Sequence, residues 1–209
     1  MIWLIGSKGM LASEIAVQLN QHNIQWIGSD REVDITDRTS VEAFAQRNFV
    51  PDSLQWIINC AAYTAVDKAE DEPTIAQKLN ADALINICTA AKKYGARLIH
   101  FSTDYVFDGT SSVPYIETDS ANPQSVYGCT KLQGEQNIVG LLPEHYIIRT
   151  AWLYGRNGAN FVSTMLRLMN EKDSLKVVND QRGSPTYAVD LAKAVLRIIQ
   201  FDNHRYGVY

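Results

Sequence analysis

Met1-Ile2-Trp3-Leu4-Ile5-Gly6-Ser7-Lys8-Gly9-Met10-Leu11-Ala12 opens the chain and decides its fold. The first five residues are apolar without a break, the pattern of a strand buried on both faces of a parallel sheet. From Leu11 the apolar positions change to helical spacing, through Ile15, Ala16 and Leu19. The glycines therefore stand in a strand-to-helix turn. Gly6 permits a tight turn, Gly9 lets the backbone approach a pyrophosphate, and Ala12 lets the helix pack closely on the strand. The helix N-terminus, through Met10 and Leu11, brings N–H groups and the positive dipole end to the phosphates. The spacing is G-x-x-G-x-x-A rather than G-x-G-x-x-G, so the strand–turn–helix context carries the reading.

A second strand follows at 24–29, and Asp30 stands at its end, 18 residues beyond Ala12. That is the place of a carboxylate that holds an adenosine ribose. Arg31 beside it offers a guanidinium to the 2′-phosphate of NADP. The polar turn at Asp34 and Ile35 can reach an adenine edge, and Thr36 or Asp37 caps the next helix.

Beyond this point strands and helices alternate. Strands are expected at 55–60, 97–101 and 145–150, and helices near 39–47, 73–94, 125–139, 161–171 and 187–200. Such alternation implies an α/β chain, a Rossmann-like doubly wound parallel sheet. Residues 1–151 read as the dinucleotide-binding domain. Residues 152–209 read as a small substrate-binding region interleaved with it, and 204–209 as a loop entering a strand that has barely begun.

Ser102, Thr103 and Asp104 gather hydroxyls and a carboxylate where an open α/β sheet binds ligands, at the carboxyl end of a strand. The same residue types also cap chain ends with no ligand. Tyr127 and Lys131, four apart, share one face of a helix. An ammonium near a phenol favours the phenolate and lowers its pKa, which suits proton transfer at a carbonyl or hydroxyl group. Tyr-x-x-x-Lys alone arises easily by chance, and the glycine turn, Asp30 and the strand-end cluster give it weight.

Longer ordered blocks add a resemblance. They are Asn59-Cys60-Ala61-Ala62-Tyr63-Thr64-Ala65-Val66-Asp67-Lys68-Ala69-Glu70, Ser102-Thr103-Asp104-Tyr105-Val106-Phe107-Asp108-Gly109, Tyr127 to Lys131, Arg149-Thr150-Ala151-Trp152-Leu153-Tyr154-Gly155 and Asn179-Asp180-Gln181-Arg182-Gly183-Ser184-Pro185-Thr186. Through them nearly the whole chain resembles the extended short-chain dehydrogenase/reductases, and within these the dTDP-4-dehydrorhamnose reductase family. Cys60 and Tyr63 depart from the alanine and histidine common in that family.

The resemblance implies NADPH or NADH as cofactor and a dTDP-sugar as substrate, with hydride transfer to a C4 keto group. It implies Tyr127 as general acid, Lys131 as the group that lowers its pKa and holds the nicotinamide ribose, and Thr103 as a partner of the substrate oxygen. Asp104 and Trp152 are expected to contact the sugar, although Trp152 reads equally well as a core aromatic. Ala61, Ala62, Tyr63 and Thr64 are expected to line the cofactor cleft beside Gly9, Met10 and Leu11. Family members continue well beyond residue 209, so part of the sugar-nucleotide pocket is expected to lie outside this chain. Two other readings share the fold: a regulatory subunit like the β subunit of methionine adenosyltransferase, and a reductase or epimerase acting on another nucleotide sugar.

Composition narrows the class. The 209 residues are 46% hydrophobic, enough for a full core. A net charge of −4 leaves no basic footprint for nucleic acid. No apolar run nears the roughly 20 residues of a membrane span, and no signal peptide is expected, since the first residues read as a strand that leads directly into the glycine turn. Three cysteines without CxxC spacing and four scattered histidines point to a reduced, cytoplasmic protein with no metal site. A homodimer is the assembly to test.

Overall fold

The computed structural model describes residues 1–201 and 203–209. The opening stretch forms β1 (Ile2–Ile5) and α1 (Met10–Gln21). β2 (Trp26–Ser29), α2 (Arg38–Asn48) and β3 (Trp56–Asn59) follow. Next come α3 (Val66–Asp71), α4 (Pro73–Gln77), α5 (Ala83–Tyr94) and β4 (Arg97–Thr103). The chain then builds α6 (Val126–Leu141), β5 (His145–Thr150), β6 (Leu153–Tyr154) and α7 (Phe161–Glu171). It ends with β7 (Thr186–Tyr187), α8 (Ala188–Phe201) and β8 (Gly207–Val208).

Six strands form one sheet in the order β2-β1-β3-β4-β5-β8, all pairs parallel. The chain leaves β1 outward to β2, then crosses back to β3 on the other side of β1. The strand order therefore reverses between β1 and β3, and a crevice opens at their carboxyl ends. The fold is the Rossmann-like doubly wound sheet that the alternation predicts. β6 and β7 pair separately as a two-stranded sheet.

β1 shows why the sheet is double-faced. Trp3 and Ile5 enter a core with Phe44, Ile57, Leu84, Ile87 and Ile147. Ile2 and Leu4 enter the opposite core with Leu11, Ile15, Ile58, Leu191 and Val195. All four side chains are fully buried, so polar alternation in this strand would be unaffordable. α8 lies on the same face as α1, which returns residues 188–201 to the main layer.

Two elements differ from the pattern. The single helix expected over 73–94 contains a π-helical turn at Lys78–Asp82 between α4 and α5. Its wider ring carries Asn80, whose amide bonds the backbone N–H and carbonyl of Tyr63 and the Thr130 hydroxyl. α3 has no apolar period to betray it, being Val-Asp-Lys-Ala-Glu-Asp, and only Ala69 is buried. The beginning of α2 is settled by Asp37, whose carboxylate accepts from the Thr39 amide at 2.9 Å.

Candidate active site

The first half of the site is the glycine turn. Gly6 has φ +72°, the left-handed region that glycine tolerates, and a Cβ there would lie 2.8 Å from the Ala61 amide nitrogen. The turns after β1 and β3 thus touch with no room for a side chain. Gly9 closes the turn by donating to the Gly6 carbonyl at 2.9 Å and caps α1 without a side-chain acceptor for the first turn. A side chain at Gly9 would narrow the approach to that helix end. The cradle fits the diphosphate of a dinucleotide. Met10 does a second job, since its side chain packs against Gly155 and Gly158 and brings the 155–158 loop over the N-terminal end of α1.

Asp30 stands at the end of β2, half-buried, with its carboxylate 3.9 Å from the Lys8 ammonium of the glycine turn. Its amide donates to Glu32 at 2.7 Å. Lys8 and Glu32 are neighbours that the sequence reading overlooked. Arg31 is exposed beside them. Asp34 is committed to a local turn, accepting from the Thr36 amide and hydroxyl at 2.9 and 2.7 Å. Those bonds hold its carboxyl below the usual range. The Ile35 side chain is buried in the core, so only its backbone is left to face a ligand; its carbonyl accepts from Asn86.

After β3, Ala61, Ala62 and Tyr63 are half-buried and Thr64 is exposed. The Tyr63 hydroxyl donates to Glu72 at 2.7 Å. Burial pushes that hydroxyl's pKa up, and Glu72 adds to the rise.

The second half of the site surrounds the carboxyl end of β4. Thr103 donates to Asp104 at 3.1 Å and accepts from the Tyr105 amide. Burial raises the Asp104 pKa, against the pull of the Thr103 hydroxyl and the Asp104 and Tyr105 backbone N–H groups. α6 starts beside it: Ser125 caps by accepting from the Gly128 amide at 3.1 Å, and Glu70 accepts from the Val126 amide. Gly128 explains the residue after the tyrosine. A Cβ there would run into the Tyr105 carbonyl, so glycine lets α6 seat against residues 104–106 and set Tyr127 beside Thr103. Tyr127 also meets the Tyr105 ring edge-on at 5.6 Å.

The electrostatics of the pair correct the sequence expectation. Tyr127 has its pKa raised rather than lowered: burial dominates, the Thr103 hydroxyl opposes it, and Asp104 and Tyr105 add to the rise. Lys131 does not offset this, because its amine is turned into the sheet. Its Nζ donates to the Phe101 carbonyl at 2.6 Å and lies 3.2 Å from His100 Nε2. Burial lowers the Lys131 pKa to about 8, with Glu135 acting the other way.

Two further residues extend this arrangement and were missed in the sequence. His100 Nδ1 lies 3.1 Å from Asn59 Nδ2, and Asn59 Oδ1 accepts from the Ala61 amide at 3.1 Å. The signal was present: both are polar residues inside otherwise apolar strand runs.

Trp152 stands past the end of β5, 46% exposed, which removes the core-aromatic reading. Its φ is +46°, an uncommon conformation for a bulky residue that costs on the order of 1 kcal/mol. Gly183 lies flat under its indole, where a Cβ would sit 3.0 Å from the ring. Among the described residues no group of three or more His, Cys, Asp or Glu gathers to hold a metal, and no helix is long and apolar enough to cross a membrane.

Residues 1–209 match the family model of the RmlD substrate binding domain. The chain belongs to that family. This RmlD-family chain is 42% identical over 193 residues to the dTDP-4-dehydrorhamnose reductase of Streptomyces griseus, covering 91% of the chain and 62% of that protein. Its fold matches the crystal structure of a dTDP-4-dehydrorhamnose reductase from Clostridium acetobutylicum with TM-score 0.93 and 45% identity. A Bacillus anthracis dTDP-4-dehydrorhamnose reductase solved in complex with NADP matches with TM-score 0.93 and 38% identity. Both structural matches cover 100% of this chain and 72% of the other. The RmlD-family chain therefore spans about two thirds of the length of its relatives.

Proposed function

We propose that the chain carries the dinucleotide-binding and catalytic part of a dTDP-4-dehydrorhamnose reductase. The reaction is the NADPH- or NADH-dependent reduction of the C4 keto group of dTDP-4-dehydro-6-deoxy-L-mannose to dTDP-L-rhamnose. One observation carries the reading: Thr103, Tyr127 and Asp104 meet at the carboxyl end of β4, on the same edge of the sheet as the glycine turn. Binding and proton-transfer chemistry then share one crevice, and the resemblance to named reductases supplies the substrate.

A bound reduced nicotinamide supplies the hydride. The chain supplies the rest. Gly6 and Gly9 bring backbone to the diphosphate. Asp30, with Lys8 and Arg31 near it, takes the adenosine ribose and its 2′ substituent. Thr103 hydrogen-bonds the substrate oxygen, and Tyr127 hands that oxygen its phenolic proton as negative charge develops there. Asp104 and the exposed face of Trp152 hold the sugar. The same reading puts the protein in the cytoplasm, with Cys60, Cys88 and Cys129 as thiols, and makes a homodimer the assembly to look for.

The test is consumption of NADPH and NADH with dTDP-4-dehydro-6-deoxy-L-mannose, with the product followed by mass spectrometry. Formation of dTDP-L-rhamnose is the expected result. Tight cofactor binding with no product from this sugar or its C4 keto relatives would overturn the reading.

A further inference from the structure

The block from Asn179 to Thr186 takes no part in the proton and cofactor chemistry. Its end is tied to the chain at Trp152. The Thr186 amide donates to the Trp152 carbonyl at 3.3 Å, and the Thr150 hydroxyl donates to the Thr186 hydroxyl at 3.0 Å. β6 and β7 pair from Leu153 and Thr186 onward, with the Tyr154 and Tyr187 rings stacked at 5.3 Å. The backbone is thus gripped on both sides of Trp152. A bulky residue at φ +46° needs that grip, since such a conformation persists only where its surroundings over-determine it.

Stability does not account for the arrangement. The indole is 46% exposed, so full burial of the ring does not offset the strain. Among the described residues no second aromatic ring or cation packs on it. Its Nε1–H has no acceptor among them either, whereas those of Trp3 and Trp26 are bonded to Ser29 and Asn20. What lies against the indole is Gly183. A Cβ there would stand 3.0 Å from Cε2 and Cζ2 and 3.4 Å from Cδ2. Gly183 does not have a positive φ, so the backbone makes no demand for glycine at this position. The space beside the ring does. The indole is therefore backed by bare main chain, with nearly half of its surface and its N–H left open.

We propose that Gly183 is a positioning residue for the sugar. Its missing side chain sets the depth and tilt of the Trp152 indole, and so the height of the sugar ring at the carboxyl ends of β4 and β5. The ligand class that such a surface takes is a pyranose. One face of a pyranose presents C–H groups to an aromatic ring, and its hydroxyls can accept from the indole N–H. The inference rests on the reductase reading, in which Trp152 holds the sugar whose oxygen Thr103 and Tyr127 serve. A displaced indole then carries C4 away from the phenol.

A double-mutant cycle with two readouts tests the proposal. Gly183→Val should lower kcat/KM for dTDP-4-dehydro-6-deoxy-L-mannose about 10-fold or more, as expected when a substrate-positioning group is displaced. The melting temperature and the NADPH affinity by calorimetry should stay nearly unchanged. In a Trp152→Ala background the same substitution should add no further loss, because the group it displaces is gone. A loop disturbed in some other way would lose as much in both backgrounds. NMR of 15N-labelled indoles gives the second readout without turnover. Trp152→Phe identifies the signal among the four tryptophans. In the wild type the Trp152 indole should be as rigid on the ps–ns scale as that of buried Trp3. Gly183→Val should shift the Trp152 signal and leave those of Trp3, Trp26 and Trp56 in place. A mobile Trp152 indole in the wild type, a Trp152 signal unmoved by Gly183→Val, or equal losses with and without the indole would overturn the proposal. If Trp152→Ala shows no turnover, the indole signals decide. A rigid indole that moves with Gly183→Val, in a protein that does not reduce the sugar, would sink the reductase reading and leave Gly183 as the residue that positions the indole.

Discussion

The Lys131 amine is held 2.6 Å from the Phe101 carbonyl oxygen, inside the sheet layer and 1% exposed. A lysine so placed couples proton binding to folding. Its folded pKa, about 8, lies below the value of about 10.4 for an exposed lysine. Above pH 10.4 both states are neutral and nothing is lost. Between pH 10.4 and 8 the unfolded chain binds the proton first, so the folded state loses stability as pH falls. Below pH 8 the loss is complete, about 3 kcal/mol. Denaturant midpoints of the wild type should therefore rise from pH 8 to 10, and Lys131→Met should flatten that rise. A wild type as steep as Lys131→Met would refute the coupling.

Tyr127→Phe keeps the ring that packs on Tyr105 and removes only the phenolic proton. Turnover should fall about 10²–10⁴-fold, with cofactor affinity nearly unchanged. Because burial raises the Tyr127 pKa, the wild-type rate should hold through neutral pH and decline only in the alkaline range. A rate that instead rises with pH through neutrality would mean that the phenolate is the active form.

The two glycines of the first turn should separate stability from binding. Gly6 has φ +72° and its would-be Cβ lies 2.8 Å from Ala61 backbone, so Gly6→Ala should destabilise the fold by about 1–3 kcal/mol. Gly9 has φ −71°, and its would-be Cβ meets only the Gly6 carbonyl, at 3.2 Å. Gly9→Val should keep the melting temperature within a few degrees and weaken dinucleotide binding by calorimetry. Unchanged affinity in Gly9→Val would displace the diphosphate from this turn.

The stretch from Met1 to Ala12 was legible because burial on both faces forces an unbroken apolar run, and the change of period marks the turn. α7 was legible to the residue, since Asn160 caps it and its apolar stripe repeats regularly. α3 was not, because a short helix with one buried residue has no period to show. That Tyr127 and Thr103 serve one site followed from the family resemblance, since spacing tied Tyr127 only to Lys131. The fate of Lys131 did not: helix spacing says which side chains share a face, not which backbone carbonyl a long side chain finally reaches. Asn59 and His100 are 41 positions apart in sequence, and only the β3–β4 register sets them side by side.

Glu135 and Arg149 form a buried two-pronged ion pair, with side chains 4% and 13% exposed. One Arg149 nitrogen, Nη1, is buried with no hydrogen-bond partner, and the guanidinium also lies 5.0 Å over the Phe107 ring. Removing one partner strands a charge in the interior, so Glu135→Ala should cost about 3–5 kcal/mol. Glu135→Gln keeps the shape and should cost less. The same variants lose the one carboxylate that favours the Lys131 ammonium, so the Lys131 titration should fall in both. Urea melts paired with lysine NMR on Glu135→Gln would check the two effects together. A stability loss with the Lys131 titration unmoved would show that Arg149 already neutralises Glu135 completely.

Cofactor choice turns on the end of β2. Asp30 repels a 2′-phosphate, while Lys8, 3.9 Å from its carboxylate, and exposed Arg31 attract one. The opposing charges predict that both cofactors work, with no strong discrimination. Arg31→Ala should weaken NADPH more than NADH, because only NADPH carries the phosphate. Lys8→Ala removes a positive charge and also releases Asp30, so its effect on NADPH should be at least as large. Both losses should shrink at high salt, since these groups are exposed and screened over about 10 Å at 0.1 M. Titrating both cofactors against the wild type and the two variants at low and high salt decides the matter. Equal losses for NADPH and NADH, or losses that ignore salt, would place the ribose away from Asp30.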